Sequence, residues 1–392
     1  RKTFWGPGRK LKEFNVALII NEEQQMLRES AQGFFAEFAP MSELRRLRED
    51  DSDYCDLLWK RMVDMGWAAI LVPEKYGGLG FGHVGMGQIM EQSGRALAAS
   101  PLFSSAVIGV SAINLLGDER QKETLLPQIA AGQLMLSLAI DESRHHEPND
   151  IALSALKTPE GYRLSGKKYG VIDGHSSAKL IVAARTQAEV GDKEGISLFL
   201  VDAKSSGLEI LRTPTVDSRS VSIINFNEVI VPLENLLGPE GSGFAGLSSV
   251  LDIANAHLAA ELLGIATESF DRTLRYLKER KQFGSLIGSF QALQHRTAHW
   301  WSEIELCKSI VLKCLSAIDE GDSRVPVLAS IAKAKLCEVA ELSTNEAIQM
   351  HGGVGMTDGS DIGFFIKRAR PAQMLYGDYS YHGDRFAMMT GY

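Results

Sequence analysis

A chain of 392 residues, 45% of them apolar and 23% charged, is long enough to bury several cores, and two or three packed domains are expected. Its net charge of −8, without a basic stripe, argues against nucleic acid as a partner, because phosphate neutralisation needs clustered Lys and Arg. The longest apolar runs, such as Leu180–Ala184 and Ile196–Val201, have the length of strands rather than the roughly 20 residues of a bilayer-spanning helix, so no membrane span is expected.

In chain order, Arg1-Lys2-Thr3-Phe4-Trp5 is followed by no apolar run, and no signal peptide is expected there. Asn21, with Gln24 three residues on, predicts a capped helix whose apolar stripe is Met26, Leu27, Phe34, Phe35 and Phe38. Further helices are predicted over Asp56–Met65 and Gly85–Ala96, on either side of the turn-rich run from Pro73 to Gly80. From Leu134 the period changes. Residues 134–140, 162–164, 179–184, 196–201 and 221–229 read as strands of a small antiparallel sheet, closed by Pro232 and the run Gly238-Pro239-Glu240-Gly241-Ser242-Gly243. The helical period then returns: Leu247, Val250, Leu251, Ala254, Leu258, Leu262 and Ile265 share one face, and long helices are predicted over Gln291–Ile318 and Pro326–Met350. The fold class is α+β and predominantly helical, with a helical domain over 1–133, an antiparallel β domain over 134–240 and a helical domain over 241–392. The four cysteines, Cys55, Cys307, Cys314 and Cys337, lack metal-ligand spacing and read as reduced core thiols, which suits a cytoplasmic protein without a metal site.

Two segments carry chemistry. Arg280-Lys281-Gln282-Phe283-Gly284, continuing through Ile287 and Phe290 to Gln291, sets an Arg before a glycine-punctuated turn and Gln on the next helix. Such donors can grip a diphosphate, although an interhelical loop with an exposed Arg has the same appearance. Gln349-Met350-His351-Gly352-Gly353-Val354-Gly355 ends a helix with glycines that allow a ligand close to the backbone, or simply cap the helix. His295 and His299 are spaced for metal chelation, yet no third ligand accompanies them, and they read as structural or solvent-facing. Trp300 and Trp301 read as core packing, and His145-His146 as a polar loop.

Together the two segments resemble the acyl-CoA dehydrogenase signature Arg-x-x-Phe-Gly-x-x-Ile-x-x-Phe-Gln followed by Gln-x-x-Gly-Gly-x-Gly. The likeness extends to Tyr76-Gly77-Gly78-Leu79-Gly80 and to Val229–Gly238. The resemblance implies a C-terminal four-helix bundle, bound FAD, an acyl-CoA substrate that gains an α,β double bond, and an electron-transferring flavoprotein as acceptor. It implies a dimer or tetramer, homomeric or heteromeric. Arg280 would reach the FAD diphosphate across a subunit interface, with Gln282, Phe283, Ile287, Phe290 and Gln291 beside it. Gln349, Gly352 and Gly353 would approach the adenosine end from another subunit.

Several positions depart from the family. Its usual catalytic base is the Glu of a Tyr-Glu-Gly-Thr-Ser segment, where this chain has Tyr376-Gly377-Asp378-Tyr379-Ser380. Aligned tyrosines put Gly377 at the base, whereas a shift of one residue offers Asp378 and brings Arg385 into line with a family Arg. The alternative family position for the base is Ala254. Asp252 and Asn255 remain as candidate substrate contacts, and Glu261, among apolar neighbours, reads as a paired structural carboxylate. The flavin-bordering Thr-Glu-Pro stretch is replaced by Asp141–Pro148, and the aromatic-Ile-Thr stretch by Tyr169-Gly170-Val171-Ile172. Three readings stand: a dehydrogenase using Asp378, a non-catalytic subunit completing a partner's FAD site, or the same fold with another chemistry, such as a lyase or a flavin monooxygenase.

Overall fold

A computed structural model describes residues 18–392, so the opening Arg1–Trp5 lies outside the described residues. The N-terminal helices are α1 (Glu22–Phe38), α2 (Met41–Glu49), α3 (Asp56–Asp64), α4 (His83–Ala96), α5 (Val110–Leu116) and α6 (Glu119–Ala130). Asn21 caps α1 reciprocally with Gln24: its Oδ1 accepts the Gln24 N–H at 2.8 Å, and Gln24 Oε1 accepts the Asn21 N–H at 3.0 Å. Asp118 and Gln121 repeat the device at α6. A π-helical run, Leu102–Gly109, feeds into α5 and is wholly buried.

The central sheet comprises β1 (Leu136–Ala139), β2 (Ser154–Thr158), β3 (Gly161–Ile172), β4 (Lys179–Arg185), β5 (Ile196–Asp202), β6 (Leu208–Pro214), β7 (Ser220–Val231) and β8 (Leu236–Leu237). Its order is β6-β7-β3-β2-β4-β5-β8, with β1 on β4. The sheet is mixed rather than antiparallel, because β1 runs parallel to β4 from Leu136–Lys179 to Ala139–Val182. Both strands are buried almost throughout, as parallel pairs require. The inner face packs Leu164, Val182, Phe199, Phe226 and Val229 into a core of its own.

After the sheet come α7 (Phe244–Glu279), the hairpin β9 (Lys281–Gln282) and β10 (Ser285–Leu286), then α8 (Gln291–Asp319), α9 (Val325–His351), α10 (Ile362–Met374) and α11 (Tyr379–Thr390). Three long helices thus form the bundle, with the short α10 and α11 laid against α9. By composition α7 is long and apolar enough to cross a membrane, yet that window is entirely buried within the molecule. It packs on α4 at backbone distance. A Cβ at Gly94 would run into the carbonyl oxygen of Glu261, and one at Gly264 into that of Glu91. The contact fuses the N- and C-terminal helices into one core, containing Phe35, Trp67, Ile89, Leu258 and Leu262.

The β domain is bound to both neighbours by charge. Arg212 on β6 grips Asp51 and Asp53, and Asp53 also holds His175 at 2.5 Å. Arg368 on α10 is shared between Glu261 on α7, at 2.6 Å, and Asp217 in the loop between β6 and β7, at 2.8 Å.

Candidate functional site

Arg280 caps the C-terminus of α7 with its backbone N–H on the Tyr276 carbonyl oxygen at 2.8 Å. Its side chain is exposed and makes no hydrogen bond or ion pair among the described residues. The next residues turn sharply: Phe283 (φ 55°) and Gly284 (φ 77°) are both left-handed, the mark of a two-residue hairpin, between paired Gln282 and Ser285. That conformation is uncommon for a bulky residue and leaves Phe283 90% exposed, edge-on to Phe290 at 6.2 Å. Ile287 packs against the core, and Gln291 opens α8 facing solvent.

Gln349 is exposed on the last turn of α9, and Gly352 follows at φ 63°, ψ −144°, a conformation available in practice only to glycine. A Cβ on Gly352 or Gly353 would meet nothing within 4 Å, so open space lies against bare backbone. The stacked rings of Tyr276 and His351, with centroids 4.3 Å apart, place this turn beside the Arg280 segment. One chain therefore presents both segments at the same end of its bundle. A free guanidinium, an exposed ring and two unobstructed glycines fit the diphosphate and adenosine portions of FAD.

The candidate polar positions on α7 are buried. Asp252 is 2% exposed, and its Oδ1 accepts a 2.6 Å bond from Arg385. Burial raises its pKa, and Arg385 opposes the rise. Asn255 donates to the Tyr376 carbonyl oxygen at 3.3 Å and leaves its own Oδ1 without a partner among the described residues. Glu261 is the buried mate of Arg368. His295 and His299 face solvent, Trp301 is half exposed, and Trp300 is buried with its indole N–H on Ser343 Oγ at 2.6 Å.

Around Gly377 the chain is held from several sides. Tyr376 (φ 53°) and Gly377 (φ 103°) are consecutive left-handed residues. Lys333, fully buried, donates to the carbonyl oxygens of Gln373, Leu375 and Gly377 at 3.0, 2.8 and 2.7 Å. Burial lowers its pKa, since three carbonyls replace water but not a counter-charge. His382 lies 3.1 Å from the Tyr376 carbonyl oxygen through Nε2, and burial followed by repulsion from Lys333 and Arg385 pushes its pKa down to about 2. Asp378 points elsewhere. Its carboxylate caps α11 by accepting the Tyr381 N–H at 2.9 Å, and it lines an open groove of about 470 Å³ with Cys337, Glu341, Arg370 and Tyr379.

Tyr381 occupies the space in front of Gly377, where a Cβ would run into the edge of its ring. The ring meets His146 edge-on at 5.0 Å, and His146, its side chain 5% exposed, is bonded through Nδ1 to Asp141 Oδ1 at 2.9 Å. Tyr376 contacts His146 at 6.0 Å and, on the other side, Phe103 of the π-helical run at 6.5 Å. All three domains thus converge here. Burial raises the Tyr381 phenol to about 12 and raises Tyr376 further, so both are neutral phenols at neutral pH.

The loop that carries His146 is anchored by Glu142, which accepts the N–H groups of Ala152 and Leu153 and a 2.7 Å bond from buried Lys168. Burial pushes Lys168 down to about 8, against the pull of Glu142. In β3, Gly170 (φ 63°) sits in a register shift with open space over its Cα, and Ile172 packs into the core. Neither offers a side-chain hydrogen bond to a flavin ring. Sequence reasoning missed Lys333 and the Asp141–His146 pair. Lys333 was readable in principle, as a charge on the otherwise apolar stripe Ala329, Ala332, Leu336 and Ala340, whereas the His–Asp pair had no local signature.

The profile of the acyl-CoA dehydrogenase C-terminal domain matches residues 241–388, and that of the N-terminal domain matches residues 21–133. The probable acyl-CoA dehydrogenase YngJ of Bacillus subtilis is 32% identical over 347 residues, spanning 86% of this chain and 89% of that protein. Among solved structures, butyryl-CoA dehydrogenase from Megasphaera elsdenii superposes with a TM-score of 0.89 at 24% identity, over 97% of this chain and all of the other. The Tcur3481-Tcur3483 steroid ACAD variant superposes with a TM-score of 0.86 at 29% identity, over 94% of this chain and 98% of the other. With these matches running through both helical domains, the chain belongs to the acyl-CoA dehydrogenase family, whose members use FAD.

Proposed function

We propose that this chain is the base-free subunit of a heteromeric FAD-dependent acyl-CoA dehydrogenase: it helps to hold the flavin, and a related partner supplies the carboxylate that removes the α-proton. The reaction needs a base on the face of the acyl thioester opposite the flavin, in a dry pocket. Bound FAD would accept the β-hydride. The observation that carries the reading is at Gly377: the volume a base would fill is occupied by Tyr381, and the neighbouring carboxylate, Asp378, is engaged as a helix cap. The second family position holds Ala254, fully buried. The paired designation of the steroid ACAD relative supports an assembly of two kinds of chain. Arg280 and Gly352–Gly353 would grip the dinucleotide, and an electron-transferring flavoprotein would reoxidise it.

A second reading, a dehydrogenase active alone with Asp378 as base, is favoured by the exposure of that carboxylate one residue from Gly377. Anaerobic acyl-CoA titration of the FAD-loaded chain, alone and co-expressed with acyl-CoA dehydrogenase-like neighbours of its gene, separates the two. The base-free reading expects bleaching only in the heteromer, unaffected by Asp378→Asn. Bleaching by the isolated chain that Asp378→Asn abolishes would overturn it.

A further inference from the structure

We infer that Tyr381 and His146 form an aromatic bolt that shuts this chain's own acyl slot, so that the chain holds flavin without accepting an acyl thioester at Gly377. The inference deepens the base-free reading and rests on it for the location of the slot. An acyl chain at the reacting position must lie between the strand-end loop beside the flavin and the N-terminus of α11. Carbon atoms in contact stand about 3.5–4 Å apart, so a methylene chain between two walls needs them about 7–8 Å apart. Here the walls touch. The Tyr381 and His146 ring centroids are 5.0 Å apart at an interplanar angle of 73°, an edge-to-face contact that admits no layer of atoms.

Both halves of the bolt are anchored. His146 is bonded to Asp141, and its loop is pinned through Glu142 to Lys168 and to the amides of Ala152 and Leu153. Tyr381 is set in the first turn of α11 by the Asp378 cap, and the preceding loop is fixed by Lys333. Gly377 is what allows the ring in, since any side chain there would collide with it. The glycine at 377 and the ring four residues later are therefore sterically coupled, and a carboxylate placed at 377 alone would find no room.

The test is calorimetric and needs no turnover. Octanoyl-CoA and free CoA are titrated into the FAD-loaded full chain, and the acyl-dependent part of the binding is read from their difference. Wild type should show no acyl-dependent term, whereas Tyr381→Gly should bind octanoyl-CoA about tenfold or more tighter than free CoA. His146→Gly removes the opposite wall and should do the same if Tyr381→Gly folds poorly. Acyl-dependent binding by wild type, or its absence from folded variants at both walls, overturns the bolt. Because the readout is binding, its failure is distinguishable from failure of the base-free reading, which is decided by flavin bleaching.

Discussion

Lys333 and Gly377 are joined by a 2.7 Å bond from Nζ to the carbonyl oxygen, and the same ammonium holds the carbonyls of Gln373 and Leu375. One buried cation thereby organises the end of α10 and the loop that leads into α11. Lys333→Met keeps the bulk of the side chain but strands the carbonyls of Leu375 and Gly377 in a dry interior, each worth about 1–3 kcal/mol when unpaired, and leaves that of Gln373 only the weak Cys337 thiol. The expected outcome is a loss of about 3 kcal/mol or more in urea unfolding.

Among the described residues Arg280 has no partner, so removing it should leave the apoprotein as stable as before while weakening FAD binding. A lost charge-assisted bond of about 1.5–3 kcal/mol corresponds to roughly a 10–150-fold rise in the FAD dissociation constant. Quenching of FAD fluorescence on titration measures this, and an unchanged melting temperature of the apoprotein is the control.

Acid should destabilise the fold earlier than its carboxylates require. His382 is held neutral down to about pH 2, and burial also lowers His83 and His257, the latter well below the usual range. Below about pH 6.5 the unfolded chain takes up protons on these imidazoles and the native chain does not, so stability falls with pH. His382 alone contributes about 1.4 kcal/mol per pH unit in that window. His382→Asn should flatten the slope of unfolding free energy against pH by about one proton, as measured by chemical unfolding at a series of pH values.

Much of the C-terminal domain was legible because its chemistry is local. The hairpin after Arg280 and the turn at Gly352 need left-handed backbone at fixed spacings, and glycines record that requirement in the sequence. The capping box at Asn21 is likewise a contact within four residues. What stayed hidden depends on partners distant in sequence. Nothing local marks β1 as parallel to β4, because a short apolar strand reads the same in either direction. Nothing near Asp252 in sequence marks its pairing with Arg385, which lies on another helix. At Gly377 the sequence showed the missing carboxylate, but not that a ring four residues later fills its place.

The backbone contact of α4 with α7 sets two tendencies against each other. Gly264→Ala would gain about 1 kcal/mol in helix propensity. Its Cβ, however, would collide with the Glu91 carbonyl oxygen, and neither backbone can move aside within the core. Overpacking should prevail, with a net loss of about 1–3 kcal/mol in thermal or urea unfolding. A gain in stability would mean that the helices stand further apart.

Arg368 divides its guanidinium between the bundle and the sheet domain in a place that dissolved ions do not reach, while Arg45 and Arg48 meet Asp358 and Asp361 at the surface. Counter-ions shield exposed charges strongly and interior ones weakly. Raising ionic strength therefore slackens the seam between α2 and the segment after the glycine turn, yet leaves the sheet fastened to the bundle. Salt acts on this molecule as a selective solvent, loosening its rim before its middle.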